Sequence, residues 1–169
     1  LVSGPVELTA HHPNIKRVDV VSAEDMYEAM TKYFPDTDIV IKSAAVADYR
    51  PKITYDQKVK KQPGDLSIEL ERTKDILHAL GEKKKDQFLV GFAAETNNPL
   101  EYGKGKLKSK NLDAIVINNV KEVGAGFGVD TNIVTYVNKA EKVDELPLAS
   151  KEKIAQQILQ LVVRDMKDE

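Results

Sequence analysis

Three short apolar runs, each opening onto small or amide side chains and each separated from the next by a helical pattern, limit what this chain can fold into. They are Asp38-Ile39-Val40-Ile41-Lys42 before Ser43-Ala44-Ala45, Phe88-Leu89-Val90 before Gly91-Phe92-Ala93-Ala94, and Ala114-Ile115-Val116-Ile117 before Asn118-Asn119. Short apolar runs of this kind read as interior strands. Their alternation with helices predicts an α/β fold, with a doubly wound, mainly parallel sheet, helices on both faces and right-handed crossovers. The strand ends after Ser43, Val90 and Ile117 then share one edge, and open α/β sheets bind ligands in a crevice at the carboxyl ends of their strands.

Around these runs the remaining elements fall into place. Arg17 to Val21 alternates as a strand, and Ser22 with Asp25 forms a capping-box variant before Met26, Ala29, Met30 and Tyr33 at helical spacing. The stretch bracketed by Pro51 and Pro63 is lysine-rich and without period, which predicts a mobile flap over about 50–64. Leu66 to Leu70 alternates as a strand. Thr73 reads as the cap of a helix with Ile76, Leu77 and Leu80 inward, and Gly81 as its frayed end. Asn98-Pro99-Leu100-Glu101 is a helix start. On that helix Leu100, Gly103 and Leu107 form the inward stripe, with Lys106 and Lys110 on one flank and Lys104 and Lys108 on the other. Asn132 to Val137 is a late strand, and Ser150 caps a closing helix packed through Ile154, Ile158, Leu161 and Val162. Residues 1–169 read as a single domain. The start, Leu1-Val2 running into Ser3-Gly4-Pro5, reads as the end of a strand, so at least one strand–helix unit is expected before it.

Composition narrows the classes. Lys+Arg 25 against Asp+Glu 27 gives a formal net charge of −2, without the basic excess of a dedicated nucleic-acid binder. There is no cysteine, so disulfides and thiolate metal sites are excluded, and cysteine can enter the chemistry only as a ligand. No apolar run reaches the roughly 20 residues of a membrane span, and the start lacks a signal-peptide layout. A soluble, cytoplasmic protein is expected.

Several residues are candidates for chemistry. Asp48 follows its strand by a few small residues and could meet a base, a ribose or a magnesium ion; equally, a turn aspartate bonds its own backbone. Lys58, Lys60 and Lys61 could close over a triphosphate as mobile point charges, or form a solvated run. Lys106 and Lys110 share that choice, since lysine stems beside a core stripe often snorkel. Phe92, between Gly91 and Ala93, could face a nucleobase or simply fill the core. Gly124, Gly126 and Gly128 lie between two strands, so the dinucleotide fingerprint is not met and a flexible loop is expected. His11, His12 and His78 show no metal spacing. No serine, histidine and acid grouping suggests a nucleophile, so the charges look built to bind phosphates and position reactants. A nicotinamide- or flavin-binding oxidoreductase domain and a non-catalytic dimerisation module are the competing readings.

These residues resemble a known family. Ser43-Ala44-Ala45-Val46-Ala47-Asp48-Tyr49, Lys58-Val59-Lys60-Lys61, Val90-Gly91-Phe92-Ala93-Ala94-Glu95-Thr96, Lys106-Leu107 with Lys110-Asn111-Leu112-Asp113, and Asn118-Asn119-Val120 match, in order and approximate spacing, the phosphopantothenate-cysteine ligase domain of coenzyme A biosynthesis, in its bacterial CTP-dependent type. Gly126-Phe127-Gly128 with Asp130 and Asn132 extends the match. The resemblance implies a Rossmann-like sheet, usually dimeric, that couples 4'-phosphopantothenate to L-cysteine through an acyl-cytidylate, with Mg2+ accompanying CTP and no flavin in this domain. By position it places nucleotide binding on Asp48, Lys58, Lys74, Asp75, Ile76, Leu77, Phe92, Lys106 and Lys110, and substrate contact on Ala45. Lys58 is the residue expected to matter most to the first chemical step, by neutralising charge on the phosphate. Many bacterial members carry a flavin-dependent decarboxylase on their N-terminal side. The family's Gly-rich strand-to-helix turn, and an asparagine that handles the acyl-cytidylate, have no counterpart here, so these residues alone are expected to be inactive or severely impaired. Gly103 and Gly105 depart from good helix formers, each costing on the order of 1 kcal/mol relative to Ala.

Overall fold

The structure, a computed structural model, describes residues 1–61, 63–95, 98–119, 125–126 and 128–168, with Asn119 and Asp168 described by their backbone alone. Expectations that fall on Thr96, Val120, Gly124 and Phe127 lie outside the described residues. Two compact units result, one built from Leu1–Lys32 with Ala45–Ile76, the other from Tyr33–Ala44 with Leu77–Glu169.

The second unit holds a five-stranded sheet in the order β3 (Ile39–Lys42), β6 (Phe88–Glu95), β7 (Ala114–Asn119), β8 (Thr131–Asn138), β9 (Val143–Ser150). The first three strands are parallel and the last two pair antiparallel. The architecture is a Rossmann-like α/β fold, mainly parallel where the three apolar runs meet. Residues of alternate parity face opposite sides. Phe88, Val90, Ala114, Val116, Val134 and Tyr136 form one core with Ile154, Ile158 and Val162 of α4 (Lys151–Asp168). Each Val, Ile or Phe side chain among them contributes about 1.5–3 kcal/mol on burial. Ser150 Oγ accepts the Lys153 N–H at 3.3 Å, the expected cap of α4.

The other face packs α3 (Pro99–Ser109) on β7. A Cβ on Gly103 would lie 2.2 Å from Ile117 Cδ1, so this glycine is what lets the helix approach the strand. Nothing lies within 4 Å of a Cβ on Gly105. Of the expected stripe, Leu107 is 3% exposed but Leu100 is 38% exposed, because Leu100 sits in the first turn of the helix. Asn98 occupies the cap position with φ 42° and makes no side-chain cap bond.

The amino ends of the strands are pinned by one carboxylate. Asp113, 4% exposed, accepts Lys84 Nζ at 2.6 and 2.7 Å and the Leu89 N–H at 2.8 Å. Its own N–H donates to Leu89 O, and its carbonyl accepts Lys139 N–H. A second buried network runs from Tyr136 Oη to Asp165 and on through Arg164 to Asp144. Burial, with the hydrogen bond to Asp165, drives the Tyr136 pKa well above the usual phenol range.

Two local readings are corrected here, and one strand is added. β6 continues through Gly91 to Glu95, so Phe92 lies inside the strand, because small residues paired to β7 extend a ladder as well as end one. Gly81 is buried inside α2 (Ile76–Lys83), where a Cβ would come within 2.0 Å of the Lys110 carbonyl oxygen; it marks a close crossing of helices, not a frayed end. β9 was not expected at all. Its Pro147 falls where the β8–β9 register shifts, and proline is tolerated at bulges of edge strands.

The first unit holds a parallel pair, β1 (Val2–Ser3) with β2 (Val18–Asp19), followed by α1 (Ala23–Tyr33). The capping box is reciprocal: Asp25 N–H donates to Ser22 Oγ at 3.1 Å and Ser22 N–H to Asp25 Oδ2 at 2.8 Å. That bond from the Ser22 backbone holds the Asp25 carboxyl below its usual range. β4 (Tyr49–Pro51) pairs antiparallel with β5 (Leu70–Arg72). The strand expected over Leu66–Leu70 therefore begins only at Leu70; Leu66 and Ile68 are 78% and 65% exposed, and alternation with no buried face carries no packing to hold a strand. Thr73 caps nothing. Its hydroxyl donates to Ala47 O at 2.6 Å and its N–H to Asp48 O at 3.0 Å.

Candidate functional site

The carboxyl ends of β3, β6 and β7 open onto a cavity of about 510 Å3 in the second unit. Its floor is apolar, formed by Ile154 and Ile158 of α4 and by the half-buried ring of Phe92, while Ser43, Asn118, Asn132 and Lys151 bring polar atoms to it. The chain arrives here for a simple reason. Phe92 continues the row Phe88, Val90 on the α4 face, and Asn118 continues the row Ala114, Val116, so each apolar row ends in a residue that can meet a ligand. Asn132 Oδ1 accepts the N–H groups of Gly126 at 3.2 Å and Ile133 at 3.0 Å, closing the turn beside the cavity. Gly126 there has φ 107°, a conformation that glycine adopts without strain.

The lysines of α3 divide as their flanks predict. Lys104 and Lys108 both reach Glu141, at 2.9 and 2.6 Å, and these ammonium groups hold its carboxyl down to about 2. Lys106 pairs instead with Glu95, at 2.6 Å, where β6 ends. Helical side chains lean toward the helix N-terminus, so Lys106 is aimed back at the carboxyl edge of the sheet. Lys110 stands one turn further on, at the end of α3, its backbone packed against Gly81.

The other candidates belong to the first unit, except Leu77, which belongs to the second. Ala45 and Asp48 are exposed on the small-residue turn. Two bonds tie that turn to Thr73, the residue that precedes the segment Lys74 to Leu77. Ile76 and Leu77 are 2% and 7% exposed, so their side chains serve the core and only their backbone can face a ligand. Lys74 donates to Glu24 at 2.5 Å and lies 4.4 Å from the Tyr27 ring centroid; the Glu24 bond raises its pKa. Lys58, Lys60 and Lys61 are exposed between β4 and β5. Among the described residues no three His, Cys, Asp or Glu side chains gather as a metal cluster.

The model of the DNA/pantothenate metabolism flavoprotein C-terminal domain matches residues 1–166. The chain belongs to this family. It is 53% identical over 160 residues to the coenzyme A biosynthesis bifunctional protein CoaBC of Bacillus subtilis (strain 168), an alignment covering 95% of this chain and 39% of that protein. Among solved structures, the C-terminal domain of a CoaBC superposes with a TM-score of 0.81 at 43% identity, over 99% of this chain and 74% of that one. The fold also matches a Cab2 variant in complex with phosphopantothenate-cysteine, with a TM-score of 0.70 at 18% identity over 90% of this chain and 53% of that chain. The chain therefore spans well under half of the curated relative it matches.

Ser43, Glu95, Asn118 and Asn132 stand within sequence motifs that assign them no role, and Lys151 stands in none. The signal for Asn118 was present: an amide pair closing an apolar strand has no packing reason to be there.

Proposed function

We propose that this domain carries out CTP-dependent ligation of 4'-phosphopantothenate with L-cysteine. The carboxylate of phosphopantothenate attacks the α-phosphorus of CTP and pyrophosphate leaves, giving an acyl-cytidylate. The cysteine amine then attacks the acyl carbon, CMP departs, and the amine loses a proton as the amide forms. The observation that carries this reading is the cavity at the carboxyl ends of β3, β6 and β7, walled by Phe92, in a chain 53% identical to a coenzyme A biosynthesis protein.

The residue roles follow from chemistry. Lys106 and Lys110 attract the triphosphate as point charges, and Phe92 offers a ring face to the nucleoside. Backbone N–H groups at the start of α2 suit an anion or a base edge, with Lys74 and Asp75 just before them, and Ala45 leaves room for phosphopantothenate. Lys58, on a segment with no helix or strand of its own among the described residues, closes as a flap and neutralises charge on the phosphate in the first step. Asp48 fits a Mg2+ held chiefly by the triphosphate, since that ion takes one or two carboxylates beside phosphate oxygens; the ion supplies charge neutralisation. Flavin has no part in this domain, and a decarboxylase domain is fused to it in the longer protein. We place the reaction in the cytoplasm and expect a homodimer: the face of β8 and β9 opposite α4 leaves an open hollow of about 490 Å3 lined by Leu100, Ile117, Ile133 and Val143, suited to a second copy.

The test follows the two half-reactions. Pyrophosphate should appear with CTP and 4'-phosphopantothenate alone, and CMP only after cysteine is added. A Lys58→Ala variant should keep its fold and lose the first release. Neither product from the full protein, or a bound flavin absorbance in this domain, would defeat the reading.

A further inference from the structure

The side-chain oxygen Oδ1 of Asn118 is buried and, among the described residues, has no hydrogen-bond partner. Asn118 nevertheless lines the open cavity that holds Phe92 and Ser43. A buried acceptor without a donor costs about 1–3 kcal/mol, and such groups in native structures call for an explanation. Packing supplies none here. Asn118 pairs with Ala94 on one side and Val134 on the other, in a row whose earlier members, Ala114 and Val116, are fully buried and apolar. An apolar residue would continue that row better.

We infer that Asn118 is a ligand-positioning residue of this site: its carboxamide oxygen accepts a hydrogen bond from an uncharged O–H or N–H group of a bound substrate. The chemistry selects the donor. A carboxamide oxygen cannot receive a hydrogen bond from phosphate oxygens or carboxylates, which are themselves acceptors at neutral pH. The group it meets therefore belongs to the neutral part of a ligand, next to the ring of Phe92. On the reading above, on which this inference rests, the two phosphorylated substrates carry such donors on their neutral parts: the nucleoside of CTP, through its ribose hydroxyls and amino group, and the hydroxyl and amide of phosphopantothenate. Both place Asn118 toward the uncharged part of the substrate, with the lysines of α3 attending to the phosphates.

The decisive variant is Asn118→Leu, close in volume and unable to accept a hydrogen bond. Replacing an unpartnered buried amide by an apolar isostere leaves folding stability unchanged or raised, whereas loss of an internal structural bond would lower it. Thermal unfolding of parent and variant is measured beside calorimetric titrations with MgCTP and with 4'-phosphopantothenate. The expected result is a melting temperature at or above the parent's, with affinity reduced about 10-fold for one ligand and unchanged for the other, since one lost hydrogen bond of ~1.4 kcal/mol is a factor of ten. A loss confined to CTP identifies the nucleoside as the donor; a loss confined to 4'-phosphopantothenate identifies the acyl substrate. Parent-like affinity for both ligands overturns the inference while leaving the ligase reading intact. A lower melting temperature with both affinities retained overturns it as well, making the amide structural. A parent chain that binds neither ligand overturns the reading and this inference together.

Discussion

Removing the carboxylate of Asp113 should be among the most damaging single changes to this protein, although Asp113 lies at the end of the sheet away from the cavity. Its partner Lys84 has a side chain only 8% exposed, so Asp113→Ala strands an ammonium group in the interior as well as an unpaired Leu89 N–H. Breaking one side of a buried ion pair costs about 3–5 kcal/mol, out of a total stability of roughly 5–15 kcal/mol. In urea, with a slope of about 2 kcal/mol per molar, the midpoint falls by ~1.5–2.5 M. A second variant separates charge from shape. Asp113→Leu combined with Lys84→Met removes both ions, and apolar replacement of a buried pair is often neutral or better; only the Leu89 N–H stays unsatisfied, so about 1–3 kcal/mol of loss remains. Far-UV circular dichroism against urea reads both. Asp113→Ala costing under about 1 kcal/mol, or a double variant worse than the single one, would refute the view that this pair is buried and satisfied.

Further outcomes are expected elsewhere. Gly105→Ala should stabilise by up to about 1 kcal/mol, since nothing lies within 4 Å of the added Cβ. Gly81→Ala should destabilise despite the same propensity gain, because the Lys110 backbone carbonyl cannot yield and overpacking costs about 1–3 kcal/mol; thermal melts of the two variants should move in opposite directions. Glu95→Gln should tighten CTP binding, up to about 5-fold for a pair worth 0.2–1 kcal/mol, since Lys106 no longer exchanges a carboxylate for phosphate; weaker binding would show that Glu95 orients the lysine instead. Glu141, held down to about 2 by Lys108 and Lys104, contributes stability above its unfolded value near 4.5 and loses it as pH falls toward 2. Glu141→Gln should therefore flatten the acid limb of the stability curve over that window, and added salt should flatten it in the parent.

How much of this was legible depended on what each residue's neighbours were. The three apolar runs became β3, β6 and β7 in parallel, because short continuous apolar runs suit strands of a parallel sheet covered on both faces. Ser22 with Asp25, and Ser150, read correctly since capping is local. What failed was non-local. Gly81 means a close helix crossing only when Lys110 is known to lie over it. The antiparallel strand β9 was hidden by Pro147, which a bulge accommodates. The site split the same way: Phe92 and the flanks of the lysine helix were visible from spacing, while the pairing of Lys106 with Glu95 and the unpartnered oxygen of Asn118 required the sheet to be assembled first.

The central claim, that the carboxyl edge of this sheet binds a nucleoside triphosphate through the lysines of α3, is tested most directly by calorimetric titration of MgCTP into the parent, a Lys106→Ala variant and a Lys139→Ala control at the opposite edge. Magnesium-dependent binding should weaken about 10- to 100-fold in Lys106→Ala, the loss of a charge-assisted hydrogen bond of about 1.5–3 kcal/mol, and remain unchanged in the control. Equal affinity in all three proteins, or no CTP binding by the parent, would contradict the account.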